Sequence, residues 1–126
     1  MIKKIVFLGG PSTGKTTLCE TLANELNTMT VPEYGRDYWL QHQINRRLSP
    51  EQLLHIAQTQ NQSEDQATSK AKKYLFCDTS AFTTWHFAVH YHQTALPELE
   101  HLATACWQRY DLVVLCDDAI PYDDTW

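Results

Sequence analysis

The fold is decided by residues 3–16, which read KKIVFLGGPSTGKT. Residues 3–8 are mostly apolar and favour β structure, which is typical of a strand buried on both faces of a parallel sheet. After a glycine-rich turn, residues 16–27 carry Leu18, Leu22 and Leu26 at every fourth position, with Ala23 beside them. This spacing predicts an amphipathic helix with those side chains on its apolar face. Strand, glycine turn and helix in this order begin a βαβ unit.

The glycine turn itself fits the pattern G-x-x-x-x-G-K-[ST] without a mismatch, and it has the required strand before it and helix after it. Gly9 and Gly14 permit backbone geometry closed to other residues, so that successive N–H groups can surround an anion. Lys15 adds a full positive charge for the β- and γ-phosphates, and the Thr16 hydroxyl can ligate Mg²⁺. We therefore predict ATP and Mg²⁺ as cofactors, bound by Gly9, Gly10, Pro11, Ser12, Thr13, Gly14, Lys15, Thr16 and Thr17.

The rest of the chain alternates between the two kinds of element. Further strands are predicted at residues 29–31, 74–77 and 112–116, the last two as buried strands, and helices at about 35–48, 50–72, 81–93 and from residue 97 onward. Ser49 and Gln52 form a predicted capping box, with Pro50 in the first turn of that helix. This alternation predicts an α/β fold with a parallel sheet, three-layered as in P-loop NTPases and nucleoside kinases. The 126 residues are expected to form a single domain, 1–126.

Composition excludes several classes of protein. The chain is 43% hydrophobic and 20% charged, which argues against disorder, and its net charge of -5 provides no basic field for nucleic acid. No apolar run approaches the roughly 20 residues that span a bilayer, so we expect no membrane partner and a cytoplasmic location. The cysteines Cys19, Cys77, Cys106 and Cys116 lie far apart and are predicted to be free, structural thiols.

Aspartates follow two of the predicted strands. Asp78 ends the strand at 74–77, and ligands bind beyond the carboxyl ends of the strands in open α/β sheets. A carboxylate there can accept a proton from a substrate hydroxyl or hold Mg²⁺ through water, although it can also simply cap the next helix. Asp117 is a second candidate, for which capping or exposure to solvent is an equally good interpretation.

Missing motifs narrow the class further. The chain has no Asn-Lys-x-Asp sequence for reading guanine and no Ser-Gly-Gly signature of ABC proteins. The Asp-Glu pair typical of AAA-type ATPases is also missing, since Thr79 follows Asp78 and Asp118 follows Asp117. These absences favour a small-molecule kinase.

Three further blocks of sequence carry a family resemblance. They are VPEYGRDY at residues 31–38, FCDTSAFTT at 76–84 and YDLVVL at 110–115. Together with the glycine turn, and in this order, they resemble the ribosylnicotinamide kinase domain of NadR-type proteins. The resemblance implies transfer of the ATP γ-phosphate to the 5′-hydroxyl of nicotinamide riboside, and a sheet in the order 2-3-1-4-5. Such kinases continue into an arginine-bearing lid, a fifth strand and a closing helix, so the chain is expected to be truncated at its C-terminus.

The first of these blocks supplies the candidate substrate residues. Glu33 can bind ribose hydroxyls, and Arg36 can clamp phosphate or stabilise charge during transfer, although both also suit a surface ion pair. The cationic ring of nicotinamide riboside prefers aromatic faces, for which Tyr34 and Trp85 are favoured over Tyr38 and Trp39, core packing being the alternative. Catalysis is assigned to Lys15, Asp78 and Arg36, substrate binding to Glu33, Tyr34, Arg36 and Trp85, and the metal to Thr16 and Asp78.

Two other functions stay open at this point. One is a kinase that phosphorylates a different nucleoside or small acceptor, and the other is an ATP-binding module without turnover.

Asp37 suits the first turn of a helix, and His86 and His90 suit an ordinary helix surface. The acidic end of the chain is predicted to be a solvated tail, and it carries Asp117, Asp118, Asp123 and Asp124.

Overall fold

The computed structural model describes residues 2–9 and 14–116. The elements in chain order are β1 (Lys3–Leu8), α1 (Lys15–Glu25), β2 (Met29–Val31), α2 (Tyr34–His42), α3 (Pro50–Thr68), β3 (Tyr74–Asp78), α4 (Ala81–His92), α5 (Pro97–Ala105), a 3₁₀ helix (Cys106–Arg109) and β4 (Leu112–Leu115). No helix in the described part of the chain is both long and apolar enough to cross a membrane.

The strands form one parallel sheet in the order β2-β3-β1-β4. This order agrees with the first four positions of the predicted sheet and confirms the α/β fold of the P-loop type. Phe7 is in register with Asp78, and Val31 is in register with Cys77. The carboxyl ends of β1, β2 and β3 therefore meet at one edge of the sheet, where the glycine turn and the segment after β2 also begin.

Helices cover both faces of the sheet, which gives the predicted three layers. Along β1, Val6 and Leu8 pack into a core with α3, α4 and α5, whereas Ile5 and Phe7 pack into a second core with α1. Since successive side chains of a strand point to opposite faces, this alternation requires apolar residues at every position from Ile5 to Leu8. The uninterrupted apolar run therefore reflects burial on both faces.

Helix α1 turns only part of its predicted apolar face toward the sheet. Its buried residues are Lys15, Cys19 and Ala23, whereas Leu18 and Leu26 are 40% and 47% exposed. The predicted inward face is therefore wrong for Leu18 and Leu26, whereas Leu22 packs against the second core and Ala23 is buried, as predicted. The rotation of α1 places Lys15 at the edge of the sheet where the carboxyl ends of β1, β2 and β3 meet, which we call the ligand edge. The small side chains of Cys19 and Ala23, one and two turns later, let the helix lie close to the strands.

Two other elements differ from the sequence prediction. Helix α2 ends at His42 instead of about Leu48, because Ile44 and Arg47 form a bridged turn across left-handed Asn45 and Arg46. Strand β4 is present, but the prediction that it is buried is wrong. Leu112 is 56% exposed and Leu115 is 80% exposed. β4 is an edge strand of the described sheet and pairs only with β1 there.

Helix α3 begins as its sequence predicts. The Ser49 hydroxyl accepts a hydrogen bond from the Gln52 N–H at 3.1 Å, and the Ser49 N–H donates to Gln52 Oε1 at 2.8 Å. This capping box orients a 19-residue helix whose inward face carries the buried polar residues Gln60 and Glu64 among apolar ones. The four cysteines are free thiols, as predicted, and Cys19, Cys77 and Cys106 are buried.

A buried polar network joins α3 to the segment that leads into β4. Glu64 is completely buried, accepts a hydrogen bond from the Tyr110 hydroxyl at 2.7 Å and pairs with Arg109 at 3.1 Å. Arg109 also contacts the exposed Asp65 at 2.8 Å. Burial raises the pKa of Glu64 despite the opposing effects of Tyr110 and Arg109. Arg109 therefore has a structural partner on α3.

Removing the Glu64 carboxyl is expected to destabilise the fold. Glu64→Leu removes the partner of the Tyr110 hydroxyl and leaves Arg109 with only Asp65 and the Asn61 carbonyl oxygen. We expect a loss of about 3 kcal/mol in the free energy of unfolding at pH 5. Because the pKa of Glu64 is raised, the folded state holds this proton more tightly than the unfolded state does. The difference between wild type and variant should thus narrow as pH rises above the ordinary glutamate pKa.

Urea unfolding from pH 4 to pH 8 measures both effects. Asp65→Ala is the matched control, since it removes an exposed partner of the same arginine and should cost less than about 1 kcal/mol. A difference between wild type and Glu64→Leu that widens with pH would contradict the assigned direction of the pKa shift.

Candidate active site

The site begins where the glycine turn enters α1. Gly14 has φ 78° and ψ 8°, a left-handed conformation that glycine adopts without steric cost, and it immediately precedes the helix. The N-terminal peptide groups of α1 thus face the ligand edge of the sheet, where they favour an anion. The predicted phosphate ligands Gly10, Pro11, Ser12 and Thr13 lie outside the described residues, while Gly9 directly follows β1 and Thr17 is exposed on α1.

Lys15 lies between two carboxylates, one at the N-cap of α2 and the other at the end of β3. Its Nζ is 2.7 Å from Glu33 Oε2 and 3.4 Å from Asp78 Oδ1, and all three side chains are less than one-tenth exposed. Burial alone would lower the pKa of Lys15, but Glu33 and Asp78 outweigh it, and the pKa is raised. Lys15 is therefore a fixed positive charge at this edge of the sheet.

Thr16 and Asp78 form the second pair of the site. The Thr16 hydroxyl donates a hydrogen bond of 2.6 Å to Asp78 Oδ2. Asp78 Oδ1 is buried and accepts no hydrogen bond from the residues described, although Lys15 Nζ is nearby. Mg²⁺ takes hard oxygen ligands and retains several waters. A hydroxyl beside a carboxylate that has one oxygen without a hydrogen bond fits such an ion in its chemistry.

The backbone directly after Asp78 is strained. Thr79 has φ 78°, a left-handed conformation that is unusual for a β-branched residue, and its N–H donates to Phe7 O at 3.0 Å. Such a conformation costs about 1–2 kcal/mol. It turns the chain out of β3, and the Ser80 hydroxyl then accepts a hydrogen bond from Phe82 N–H at the start of α4. Strain of this kind is characteristic of ligand sites, where the surrounding structure holds it in place.

An open cavity of about 260 Å³ lies beside these residues. It is small compared with the roughly 300–1,000 Å³ of many ligand pockets. Its walls come from α1, β2, the start of α2 and the end of β3, which are the elements that meet at the ligand edge. The lining residues are Thr16, Cys19, Glu20, Thr30, Pro32, Glu33, Arg36, Asp37 and Asp78.

Charge in this cavity is mostly negative. Glu20, Glu33, Asp37 and Asp78 contribute carboxylates, and Arg36 is the cationic residue among the described lining residues. Such a cavity favours a cationic or hydroxyl-rich ligand. Arg36 and Glu33, both predicted for substrate, thus lie on the same cavity as Asp78 and Thr16.

Sequence reasoning missed several residues of the cavity wall. Cys19 and Glu20 follow Thr16 by three and four positions, so one face of α1 carries all three toward the cavity. That spacing was the available signal for them. Burial, together with Asp78 and Glu20, raises the pKa of Cys19 to about 12, so its thiol stays protonated at neutral pH and is no nucleophile.

The aromatic residues predicted for stacking lie elsewhere. The Tyr34 hydroxyl is 2.9 Å from His55 Nε2, and the Tyr34 ring packs on Tyr38 with 5.8 Å between centroids. Trp85 packs against Phe82 at 5.7 Å and against the core under α4, and Trp39 is buried. Neither Tyr34 nor Trp85 is among the described residues that line the cavity, and their stacking role stays a prediction. Asp117 lies outside the described residues.

These features define the class. A parallel sheet in the order β2-β3-β1-β4, with a glycine turn and lysine between β1 and α1, is a P-loop NTPase-like fold. The chain belongs to the family described as AAA domain, whose model matches residues 4–126. The missing Asp-Glu pair, at Asp78-Thr79 and at Asp117-Asp118, argued against an AAA-type ATPase. The family match corrects that exclusion at the level of the family.

Two curated relatives match almost the whole chain. It is 34% identical over 123 residues to the Trifunctional NAD biosynthesis/regulator protein NadR of Escherichia coli K12, a match that covers 96% of this chain and 30% of the relative. The protein of the same name from Salmonella typhimurium LT2 gives the same identity and coverage. These matches confirm the predicted resemblance to NadR-type proteins. The chain spans about a third of the length of these relatives.

Solved structures agree with the fold. A NadR protein in complex with NR superimposes with a TM-score of 0.74 at 25% identity, covering 90% of this chain and 33% of that one. A NadR protein in complex with NAD and AMP-PNP superimposes with a TM-score of 0.70 at 24% identity, covering 90% and 34%. This second likeness is evidence for the fold alone.

Proposed function

We propose that the chain is a small-molecule kinase that transfers the γ-phosphate of ATP to the 5′-hydroxyl of nicotinamide riboside, giving nicotinamide mononucleotide and ADP. The observation that carries this proposal is the convergence of Thr16, Glu33 and Asp78 on one small acidic cavity at the ligand edge of a P-loop fold, with Lys15 paired to both carboxylates. The NadR protein solved with NR, which has the same fold, supports the choice of acceptor.

The phosphate half of the site is built on α1. Lys15 and the first peptide groups of α1 bind and orient the triphosphate, because they present positive charge at a buried edge of the sheet. Thr16 and Asp78 would hold Mg²⁺, and the ion would supply positive charge to neutralise the phosphates. In this half, positioning and electrostatics do most of the catalysis.

The acceptor half uses the residues after β2. Glu33 and Arg36 line the cavity and orient the riboside, and the excess of carboxylates suits its cationic ring. The 5′-oxygen forms a bond to the γ-phosphorus, the bond from that phosphorus to the β–γ bridging oxygen breaks, and ADP leaves. The hydroxyl proton passes to Asp78 if this carboxylate is the base, or to solvent if Asp78 serves only the metal.

An acceptor panel tests the function directly. We would incubate the purified chain with MgATP and nicotinamide riboside, adenosine, cytidine or thymidine, and follow ADP and the phosphorylated product by ³¹P NMR. Equal amounts of ADP and nicotinamide mononucleotide are expected. Phosphorylation of another nucleoside but not of nicotinamide riboside would overturn the acceptor, and ATP binding with no product from any acceptor would overturn the kinase.

Loss of the Glu33 carboxylate is expected to act on the acceptor. Glu33→Ala removes a charged hydrogen-bond acceptor from the cavity wall, which should raise the KM for nicotinamide riboside by roughly 10- to 100-fold. The KM for ATP should change little, because Lys15 keeps Asp78 as a partner. Glu51→Ala, on the exposed first turn of α3, is the control and should leave both constants unchanged. Equal increases in both KM values would contradict this role.

A further inference from the structure

Gln60 is a buried polar residue that the mechanism above does not use. It lies on the inward face of α3 and is only 2% exposed. Its Oε1 accepts a hydrogen bond from the Tyr34 N–H at 3.2 Å, and its Nε2 donates to Asp78 O at 3.5 Å, a long contact. One side chain thus contacts the backbone of both segments that carry the proposed site.

The contact with Tyr34 solves a problem at the start of α2. The first N–H groups of a helix lack partners within the helix, and the N-cap side chain commonly accepts from one of them. Glu33 is the N-cap of α2, but it makes no such capping bond, since its carboxylate reaches Lys15 at 2.7 Å. Gln60 supplies an acceptor for the first N–H of α2 from a neighbouring helix, which leaves the Glu33 carboxylate to face the site.

The attachment of α3 to the protein does not depend on this amide. Leu53, Ile56 and Ala57 anchor the helix in the core, and Glu64 ties it to Arg109 and Tyr110 one turn further on. An apolar side chain of similar size would fill the same space at position 60. The amide therefore acts on its two backbone partners, whose relative position sets the distance between Glu33 and Asp78.

We propose that Gln60 is a positioning residue, which caps α2 from α3 and fixes the acceptor carboxylate Glu33 relative to Asp78. This inference rests on the proposed function. Small displacements of reacting groups cost up to roughly 10²-fold in rate, so the effect should appear in acceptor turnover. ATP binding should change less than acceptor turnover, because the described hydrogen bonds of Gln60 go to Tyr34 and Asp78 and to neither Lys15 nor Thr16.

Gln60→Met keeps the side-chain volume and removes both hydrogen bonds. We expect kcat/KM for nicotinamide riboside to fall by roughly 10- to 100-fold, while the Kd for ATP changes less than about twofold. Gln60→Glu keeps an acceptor for Tyr34 N–H and should recover part of this loss. Hydrogen exchange of the Tyr34 amide, followed by NMR, should accelerate at least tenfold in Gln60→Met, which a purely structural role elsewhere on α3 would not cause.

Two control variants on the same helix define the outcome. Gln62 lies on the exposed face of α3, so Gln62→Met should leave acceptor kcat/KM, the Kd for ATP and Tyr34 exchange unchanged. Leu53→Ala weakens the core, and below its unfolding temperature it should leave Tyr34 exchange and acceptor kcat/KM unchanged. The role of Gln60 alone would be overturned if the wild type is active and Gln60→Met has the same Tyr34 exchange rate and the same kcat/KM as the wild type. A different result is that the wild type phosphorylates no acceptor while Tyr34 exchange is faster in Gln60→Met. This result would overturn the proposed function and still support the hydrogen bond from Tyr34 to Gln60.

Discussion

Lys15→Met is expected to lower ATP affinity or turnover by roughly 10²- to 10³-fold, because it removes the charge that holds the phosphates. The same change leaves Glu33 and Asp78 buried near one another without the ammonium group that pairs with both. We therefore also expect the free energy of unfolding to fall by about 3–5 kcal/mol. Calorimetric titration with MgATP and urea unfolding measure the two effects separately.

A double variant distinguishes the structural effect from the functional one. Adding Glu33→Gln to Lys15→Met removes one of the two unpaired carboxylates, so much of the lost stability should return while ATP binding stays lost. Lys3→Met is the matched control, since Lys3 is exposed at the start of β1 and lies outside the site. If Lys15→Met bound ATP and phosphorylated the acceptor like wild type, the role of Lys15 in phosphate binding would be excluded.

Asp78→Asn is expected to lower turnover by roughly 10²- to 10⁴-fold and to change the Kd for ATP only a few-fold. Asparagine preserves the shape of the side chain and still accepts a hydrogen bond from the Thr16 hydroxyl, so the fold around β3 should persist. What is lost is a negative charge that can take a proton or hold a metal. Steady-state kinetics and ATP titration on the same preparation provide the comparison.

The two chemical roles of Asp78 give different signatures. If the carboxylate holds the metal, the Mg²⁺ concentration for half-maximal activity should rise in Asp78→Asn. If the carboxylate is the base, turnover at saturating Mg²⁺ should fall while the Mg²⁺ concentration for half-maximal activity stays the same. Asp65→Asn, an exposed aspartate on α3, is the control. Equal losses in ATP affinity and turnover would reassign Asp78 to nucleotide binding.

The sequence predicted much of the site because each element is specified locally. β1, the glycine turn, Lys15 and Thr16 are adjacent along the chain, and the rule that ligands lie beyond the carboxyl ends of parallel strands added Asp78 and Glu33. The capping box of Ser49 and Gln52 was readable for the same reason. The contacts of Tyr34 and Trp85 were harder to predict from the sequence, because aromatic side chains suit a core and a ligand site equally well.

Other features required the packed chain. The rotation of α1 that buries Cys19 and Ala23 and exposes Leu18 depends on how closely the helix approaches the sheet. The spacing of the leucines along the chain gives no information about the distance between helix and sheet. The exposure of β4 likewise follows from its place at the edge of the described sheet and not from its composition.

By itself, the sequence determined a parallel α/β protein with a phosphate-binding turn between its first strand and helix, because strand burial, glycine geometry and helix periodicity are properties of neighbouring residues. Only the tertiary structure decided that Lys15 lies between Glu33 and Asp78, and that Gln60 joins the segments carrying them. The physical reason is that these contacts join residues 18 to 63 positions apart or on different helices, whose separation depends on how helices and sheet pack together.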